Sequence, residues 1–288
     1  MSWVYFRDKL CPVDSVQLSL SNRAYRYADG VFESIRLYNG VPVFWSKHYE
    51  RLSYSLKVYG IDFRMTQDEL KSVISATIAK NELRTHGMLR ITVYRDGAGK
   101  YTPETNTGVL VVEAIPTAQS LYPMPVVRKK AKIYNEFKLP SNALGSFKGL
   151  NKTLHVLAAV SAKKEQCDEA LLLNHQGVIG EALSSSVFCY TGSELITPPL
   201  SDGGLDGTLR KVIIQHQDFL EVKVIEQSVH PNEIMNFEEV WTTNAGSGIS
   251  CITQLGEYTY QDLKANETQA KLEALAVNSC SDFLETQT

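Results

Sequence analysis

Apolar and polar positions change period several times along the chain, and each change marks an element. Residues 31–37 roughly alternate, the two-residue period of a half-buried strand. Asn39-Gly40 follows, a strong hairpin signal, and 41–45 reads as the returning strand. Over 48–59 the period lengthens. Tyr49, Leu52, Leu56 and Tyr59 fall on one helical face, with Arg51 near the start. Thr66, with Glu69 three positions later, has the form of a capping box opening a second helix. Strands are predicted over 87–94 and 108–114, with a flexible loop at 96–101. Nearer the N-terminus, 1–20 reads as short strands around a turn at 11–14, and 25–30 as a polar, aromatic turn.

The signals are denser from 146 onward. Residues 146–151 read as a loop entering an amphipathic helix, with Asn151 as N-cap. Leu150, Leu154, Leu157 or Ala158, and Ser161 recur at helical spacing, and Lys163, Lys164 and Glu165 form the polar end. The apolar run 170–173 suits a buried strand, 174–177 a turn, and 178–181 the start of the return strand. After Ser184-Ser185-Ser186 come strands at 187–190 and 195–197, the second ended by Pro198-Pro199. Gly207 opens a helix through Phe219. Strands follow at 221–226 and 239–242, then a loop at 243–248 and a C-terminal helix from Gln261 onward. The linker candidate is 116–125, interrupted by Pro123 and Pro125, which gives domains 1–119 and 120–288.

Composition narrows the class. A chain of 288 residues, 43% hydrophobic and 21% charged, can bury one large core or two ordinary ones and is not disordered in character. Its net charge of −3, from 29 basic and 32 acidic residues, offers no footprint for nucleic acid or an anionic membrane. No segment approaches a membrane span, and no repeat or low-complexity tract is present. Five cysteines without C-x-x-C or framework spacing read as reduced thiols of a cytoplasmic protein, with no metal-ligand pattern. Periodicity alone gives mixed α and β.

Three features between 146 and 210 suggest chemistry through their order. Lys148 precedes a helix, Glu181 ends an apolar segment, and Gly207 leads a helix N-terminus. Singly, each has an ordinary explanation: a solvated lysine, a rim carboxylate (burying one without a partner is costly), and a turn glycine.

Together they resemble a known family. The motifs are F-K-G-L-N at 147–151, D-E-A-L-L-L at 168–173, G-x-x-x-E at 177–181, S-S-S-V-F at 184–188, T-P-P at 197–199 and G-T-L-R at 207–210. The N-terminal half adds R-Y-A-D-G-V-F-E-S-I-R at 26–36 and H-Y-E-R-L at 48–52. This set resembles the class IV, fold type IV pyridoxal-phosphate enzymes: branched-chain transaminases, D-amino acid transaminases and aminodeoxychorismate lyases. The resemblance covers nearly the whole chain. It implies an α/β (α+β, two-domain) fold with a small N-terminal domain and a larger C-terminal domain around a β-barrel-like core. It also implies pyridoxal 5'-phosphate between the domains, a homodimer that completes the pocket, and no metal.

The resemblance carries over residue by residue. Lys148 takes the Schiff-base position and the proton-shuttle role; Lys152 is its rival, but the family places its lysine three residues before the Asn of x-L-N. Glu181 matches the carboxylate that faces the protonated pyridine nitrogen. Arg51 matches the phosphate-binding arginine of H-x-x-R-L. Gly207, Thr208 and Leu209 match a phosphate cup at a helix N-terminus, with Ser185, Asn244 and Ala245 in the accompanying loops. Leu209 and Ala245 stand where the family often has Thr, so hydroxyl contacts are lost there; Thr208 is the candidate substitute. Tyr27, Phe32 and Arg36 match the substrate pocket of branched-chain transaminases, where the Tyr equivalent comes from the neighbouring subunit. Arg90 falls near an arginine used there for substrate carboxylates. The 96–101 loop lacks the Arg-x-His pair of D-amino acid transaminases.

The expected activity is therefore amino transfer between an L-amino acid, branched-chain or glutamate, and a 2-oxo acid. The alternative is aminodeoxychorismate lyase, favoured by T-N-A at 243–245 and by Ala182-Leu183 after Glu181, whereas F-E-S-I-R at 32–36 favours the transaminase. A catalytically silent binding protein on the same fold is opposed by the intact Lys148, Glu181 and Arg51.

Overall fold

The computed structural model describes residues 2–118 and 121–285, side chains at 143 and 144 excepted. The expected boundary between 119 and 120 lies outside the described residues. By its contacts the chain divides into two compact units. One comprises Met1–Leu121, Lys148–Asn151 and Ala276–Thr288; the other comprises Tyr122–Phe147 and Lys152–Leu275. Among the described residues no helix is long and apolar enough to cross a membrane.

The first unit holds β1 (Trp3–Phe6), β2 (Lys9–Pro12), α1 (Arg23–Tyr27), β3 (Gly30–Tyr38), β4 (Val41–Pro42), α2 (Trp45–Tyr59), α3 (Gln67–Lys80), β5 (Gly87–Arg95) and β6 (Gly108–Pro116). Its sheet runs β2-β1-β6-β5-β3-β4, antiparallel throughout. Strand alternation divides this sheet into two chemically different faces. Ile35, Leu37, Leu89, Ile91, Val93, Leu110 and Val112 point to one side and form a core with Leu52 and Leu56 of α2 and Leu70, Ile74 and Ile78 of α3. The opposite side carries Phe32, Ser34 and Arg36, and the register Phe32↔Thr92, Ser34↔Arg90, Arg36↔Met88 adds Arg90 to it.

The capping box at Thr66 and Glu69 is present as predicted, with Thr66 Oγ1 accepting the Glu69 N–H and the Glu69 carboxylate accepting the Thr66 N–H. Elsewhere the first unit differs from expectation. The first hairpin turns at Arg7-Asp8, where Phe6 pairs with Lys9, because Arg7 takes φ 61° and its guanidinium donates twice to Asp96 at 2.9 Å. Pro12 sits in edge strand β2, where a missing N–H costs least. Residues 23–27 form a short helix, capped by Asn22 accepting the Tyr25 N–H and stopped by Ala28 in the left-handed region. The strand after Asn39-Gly40 lasts two residues before Trp45, fully buried, opens α2.

The second unit contains β7 (Val127–Leu139), α4 (Thr153–Lys164), β8 (Glu169–Asn174), β9 (Ile179–Ala182), β10 (Ser186–Tyr190), β11 (Glu194–Thr197), α5 (Thr208–Gln215), α6 (Gln217–Leu220), β12 (Lys223–Glu226), β13 (Glu239–Asn244), β14 (Gly248–Leu255), β15 (Tyr258–Thr259) and most of α7 (Leu263–Asn278). The short α8 (Ser281–Leu284) belongs to the first unit. The nine strands follow the order β12-β11-β10-β13-β14-β7-β8-β9, with β15 on β14. One core draws Ile196 from β11, Val187 and Cys189 from β10, Val240, Ile252, Leu171, and Ile179 and Ala182 from β9. Strands from opposite ends of the order reach a common core only if the sheet curls around it, the barrel-like arrangement expected.

Here too the local readings shift in detail. The N-cap of α4 is Lys152 rather than Asn151, and Ala158, not Leu157, faces inward with Ser161 and Ala162. The helix opened by Gly207 breaks at His216, which separates α5 from α6. Strands β7 and β14 carried no reading at all.

Candidate active site

Lys148 joins the first unit through its backbone. The Phe32 N–H donates to Lys148 O at 2.9 Å and the Leu150 N–H to Gly30 O at 3.0 Å, so 148–150 lie alongside the start of β3. A Cβ at Gly149 would collide with the Tyr59 hydroxyl, so glycine permits this close approach. The half-buried Lys148 places Nζ 4.6 Å from the Phe32 ring centroid. Arg90 Cζ lies 4.1 Å from the same centroid. Two cations thus share one aromatic ring. Among the described residues Arg90 has no hydrogen-bond or ion-pair partner. Burial pulls its pKa below the ordinary value, and the Glu113 charge across the strand opposes that.

Arg51 is on α2 of the same unit. With His48, three residues earlier on the same helical face, it meets Glu33 of β3. Arg51 Nε donates to Glu33 Oε1 at 2.7 Å, Nη2 to Oε2 at 2.6 Å, and His48 Nδ1 lies 2.7 Å from Oε2. Burial alone would raise the Glu33 pKa, but the charge and hydrogen bonds of Arg51, with the His48 hydrogen bond, hold it down to about 2. Burial lowers the His48 pKa, helped by the Arg51 and Lys148 charges and opposed by Glu33.

The expected substrate residues divide. Phe32, Arg36 and Arg90 share the face opposite the helices, with Arg36 buried. Tyr27 is exposed at the end of α1, under Arg23 (5.2 Å to the ring centroid) and 5.8 Å from the Tyr101 ring.

In the second unit Glu181 lies buried on β9, paired in register with Leu172. Its Oε1 is 2.7 Å from His155 Nε2, and its Oε2 accepts the Leu205 N–H at 2.9 Å. That amide can reach the carboxylate because glycine lets the 202–205 segment cross β9 closely. A Cβ on Gly180 would stand 2.6 Å from Asp202 O, and one on Gly204 2.5 Å from Gly180 O.

The remaining expected residues meet in another corner of this unit. Asn244 Nδ2 donates to Ser185 Oγ at 3.0 Å, while Asn244 Oδ1 accepts the Gly246 and Ser247 N–H groups at 3.0 and 2.9 Å and so shapes the turn holding Ala245. Ser186 pairs with Thr243, and a Cβ on Gly207 would come 2.7 Å from Ser186 Oγ. Gly207 is the N-cap of α5 and supplies no capping side chain; its own N–H donates to Leu205 O at 2.8 Å. An α-helix leaves its first-turn amides without internal acceptors. Leu209 buries its side chain in the core, so it offers the corner only backbone. Thr243 Oγ1 is buried without a hydrogen-bond partner among the described residues. A helix N-terminus whose N-cap has no side chain, a cradle open for want of a Cβ and a buried hydroxyl without a partner among the described residues suit a phosphate.

Three residues at these sites went unread in the sequence. The H-x-x-R spacing puts His48 and Arg51 on one helical face, a signal available in principle. Glu33 and His155 carried no local signal, since each is defined by a partner distant in sequence.

The amino-transferase class IV family model matches residues 30–255. A putative branched-chain-amino-acid aminotransferase of Methanocaldococcus jannaschii is 26% identical over 274 residues, 93% of each chain. An aminodeoxychorismate lyase of Bacillus subtilis is 24% identical over 274 residues, 93% of this chain and 91% of that protein. The crystal structure of the branched-chain aminotransferase from Thermoproteus uzoniensis with norvaline superposes with a TM-score of 0.87 at 21% identity, covering 99% of this chain and 97% of the other, and so has the same fold. With the family model spanning most of its length, the chain belongs to the class IV aminotransferases.

Proposed function

We propose that this class IV aminotransferase moves an amino group between an L-amino acid, branched-chain or glutamate, and a 2-oxo acid, using pyridoxal 5'-phosphate attached through Lys148. The observation that carries the reading is the meeting of the Lys148 amine and the Arg90 guanidinium, which has no ion-pair partner among the described residues, on one ring, Phe32. An amine beside a desolvated cation suits a substrate that brings a carboxylate to the reacting carbon. When bound, the cofactor supplies an aldehyde that takes up the amino group and a ring that withdraws electrons from the substrate.

The chain's own residues do the rest. Lys148 Nζ attaches the cofactor and, once displaced by the substrate amine, carries the α-proton. Glu181 presents a buried carboxylate to the ring nitrogen. Arg51 and the amides of Thr208 and Leu209, with Ser185, Asn244 and Ala245, hold the phosphate. Arg90 holds the substrate carboxylate, while Phe32, Arg36 and Tyr27 shape the pocket. Exposed Tyr27 and Tyr101, at 38% and 90% accessibility, support a homodimer in which they are covered; sedimentation as a monomer at micromolar concentration would refute it. Five unpaired cysteines support a cytoplasmic location, which cell fractionation would check.

Aminodeoxychorismate lyase is the second reading, supported by the T-N-A turn at 243–245. The visible spectrum of the loaded protein separates the two. Leucine or glutamate should discharge a Lys148-dependent band and a 2-oxo acid restore it, with Lys148→Ala lacking the band. If neither amino acid moves the band, the transaminase reading fails and aminodeoxychorismate becomes the substrate to test.

A further inference from the structure

We propose that His155 is a positioning residue for Glu181: its Nε2–H and the Leu205 N–H, one on each carboxylate oxygen, fix the orientation in which Glu181 meets the cofactor's ring nitrogen. The inference rests on the reading of Glu181 given above.

An ionised carboxylate only accepts hydrogen bonds, so the 2.7 Å contact requires the proton on His155 Nε2. Leu205 N–H on the other oxygen, at 2.9 Å, leaves neither oxygen free to rotate without losing a donor. Each oxygen still has a lone pair to offer a third partner. The histidine is itself held in place. It lies in the first turn of α4, whose Ala158 and Ala162 pack against Tyr134, Leu139, Ala170 and Leu172, and Leu172 is the cross-strand neighbour of Glu181. One rigid helix–strand contact therefore sets the distance between the two side chains. His155 Nδ1 is buried without a partner among the described residues, so the ring's hydrogen bonding is directed at Glu181. A histidine that only filled space would not need its donor on a carboxylate oxygen.

The test compares loaded wild type with His155→Ala, His155→Gln and Glu181→Gln. The readouts are the nitrogen NMR signal of ring-labelled pyridoxal phosphate, the cofactor Kd, and the melting temperature of each apoprotein. His155→Ala should shift the ring signal toward the unprotonated form and raise the Kd on the order of tenfold, the scale of one hydrogen bond to a charged group. His155→Gln keeps an N–H donor at similar reach and should stay near wild type in both. The proposal is overturned if Glu181→Gln moves the ring signal while His155→Ala does not, or if His155→Gln is as impaired as His155→Ala. If Glu181→Gln itself leaves the signal unchanged, the reading of Glu181 fails, and the role of His155 with it.

Discussion

Replacing Glu33 by Gln would test the electrostatics around Arg51. Glu33 is 1% exposed and takes two hydrogen bonds from Arg51 and one from His48. Its carboxyl titrates at about 2 against an ordinary 4.5, and that difference corresponds to about 3 kcal/mol of folding stability. The folded value lies below the unfolded one, so the contribution is complete above pH 4.5 and disappears as the pH falls toward 2. Glutamine keeps the shape but removes the charged partner from the buried Glu33–Arg51 pair, a loss of about 3–5 kcal/mol by the usual scale for breaking such a pair. The two routes agree in scale.

Urea denaturation across pH is the assay. At neutral pH Glu33→Gln should be less stable by about 3 kcal/mol or more, and the gap should close between pH 4.5 and 2 as wild type loses its advantage. His48, whose pKa burial holds below 6.5, adds an earlier decline on acidification, because the unfolded histidine takes up its proton first. A gap under about 1 kcal/mol at neutral pH, or one that stays constant down to pH 2, would refute the assignment of Glu33 as the counter-charge.

Two further predictions concern packing in the first unit. Gly149→Ala drives a Cβ into the Tyr59 hydroxyl, at a cost of about 1–3 kcal/mol by the usual scale of overpacking; Tyr59→Phe should recover much of it, since the next atom, Tyr59 Cζ, stands 3.3 Å away. Thermal melts of the two single variants and the double would show this, and simple additivity would contradict it. Phe283 on α8 is buried edge-on to Trp45 at 5.4 Å and lies under Lys71 Nζ, so Phe283→Ala should cost about 3–5 kcal/mol. Denaturation with an unchanged midpoint would mean that α8 does not contribute to the core.

The fold was legible where a single segment carries its own instructions. Thr66 with Glu69, Asn39-Gly40, and the Asn174 turn between β8 and β9 each specify backbone through bonds made within a few residues. It was illegible where the instruction lies across the chain. Strand β7 carries Lys129, Lys130 and Lys132 in a stretch with little apolar run; it is a strand because its backbone pairs in parallel with β14 and β8, and Lys129 reaches Glu169 at 2.8 Å while Lys132 reaches Ser161 and Glu165. The first hairpin turns where Arg7 finds Asp96, and no window of local sequence holds both.

The candidate site divides the same way. Motif spacing could single out Lys148, Glu181, Arg51 and Gly207, residues assigned to the cofactor. It could not single out Glu33, His155 or the cation-sharing role of Phe32, because each is defined by the side chain it holds. A buried charge is stable only beside a counter-charge or donor at hydrogen-bond distance, so every charged residue assigned to the cofactor requires a second residue to keep it in place. Arg51 has Glu33 and Glu181 has His155; the Phe32 ring plays a weaker version of this part beside the half-buried Lys148 amine. Substitutions at those second residues should therefore change cofactor affinity or stability while every motif residue remains intact, which is why sequence motifs alone would class such variants as wild type.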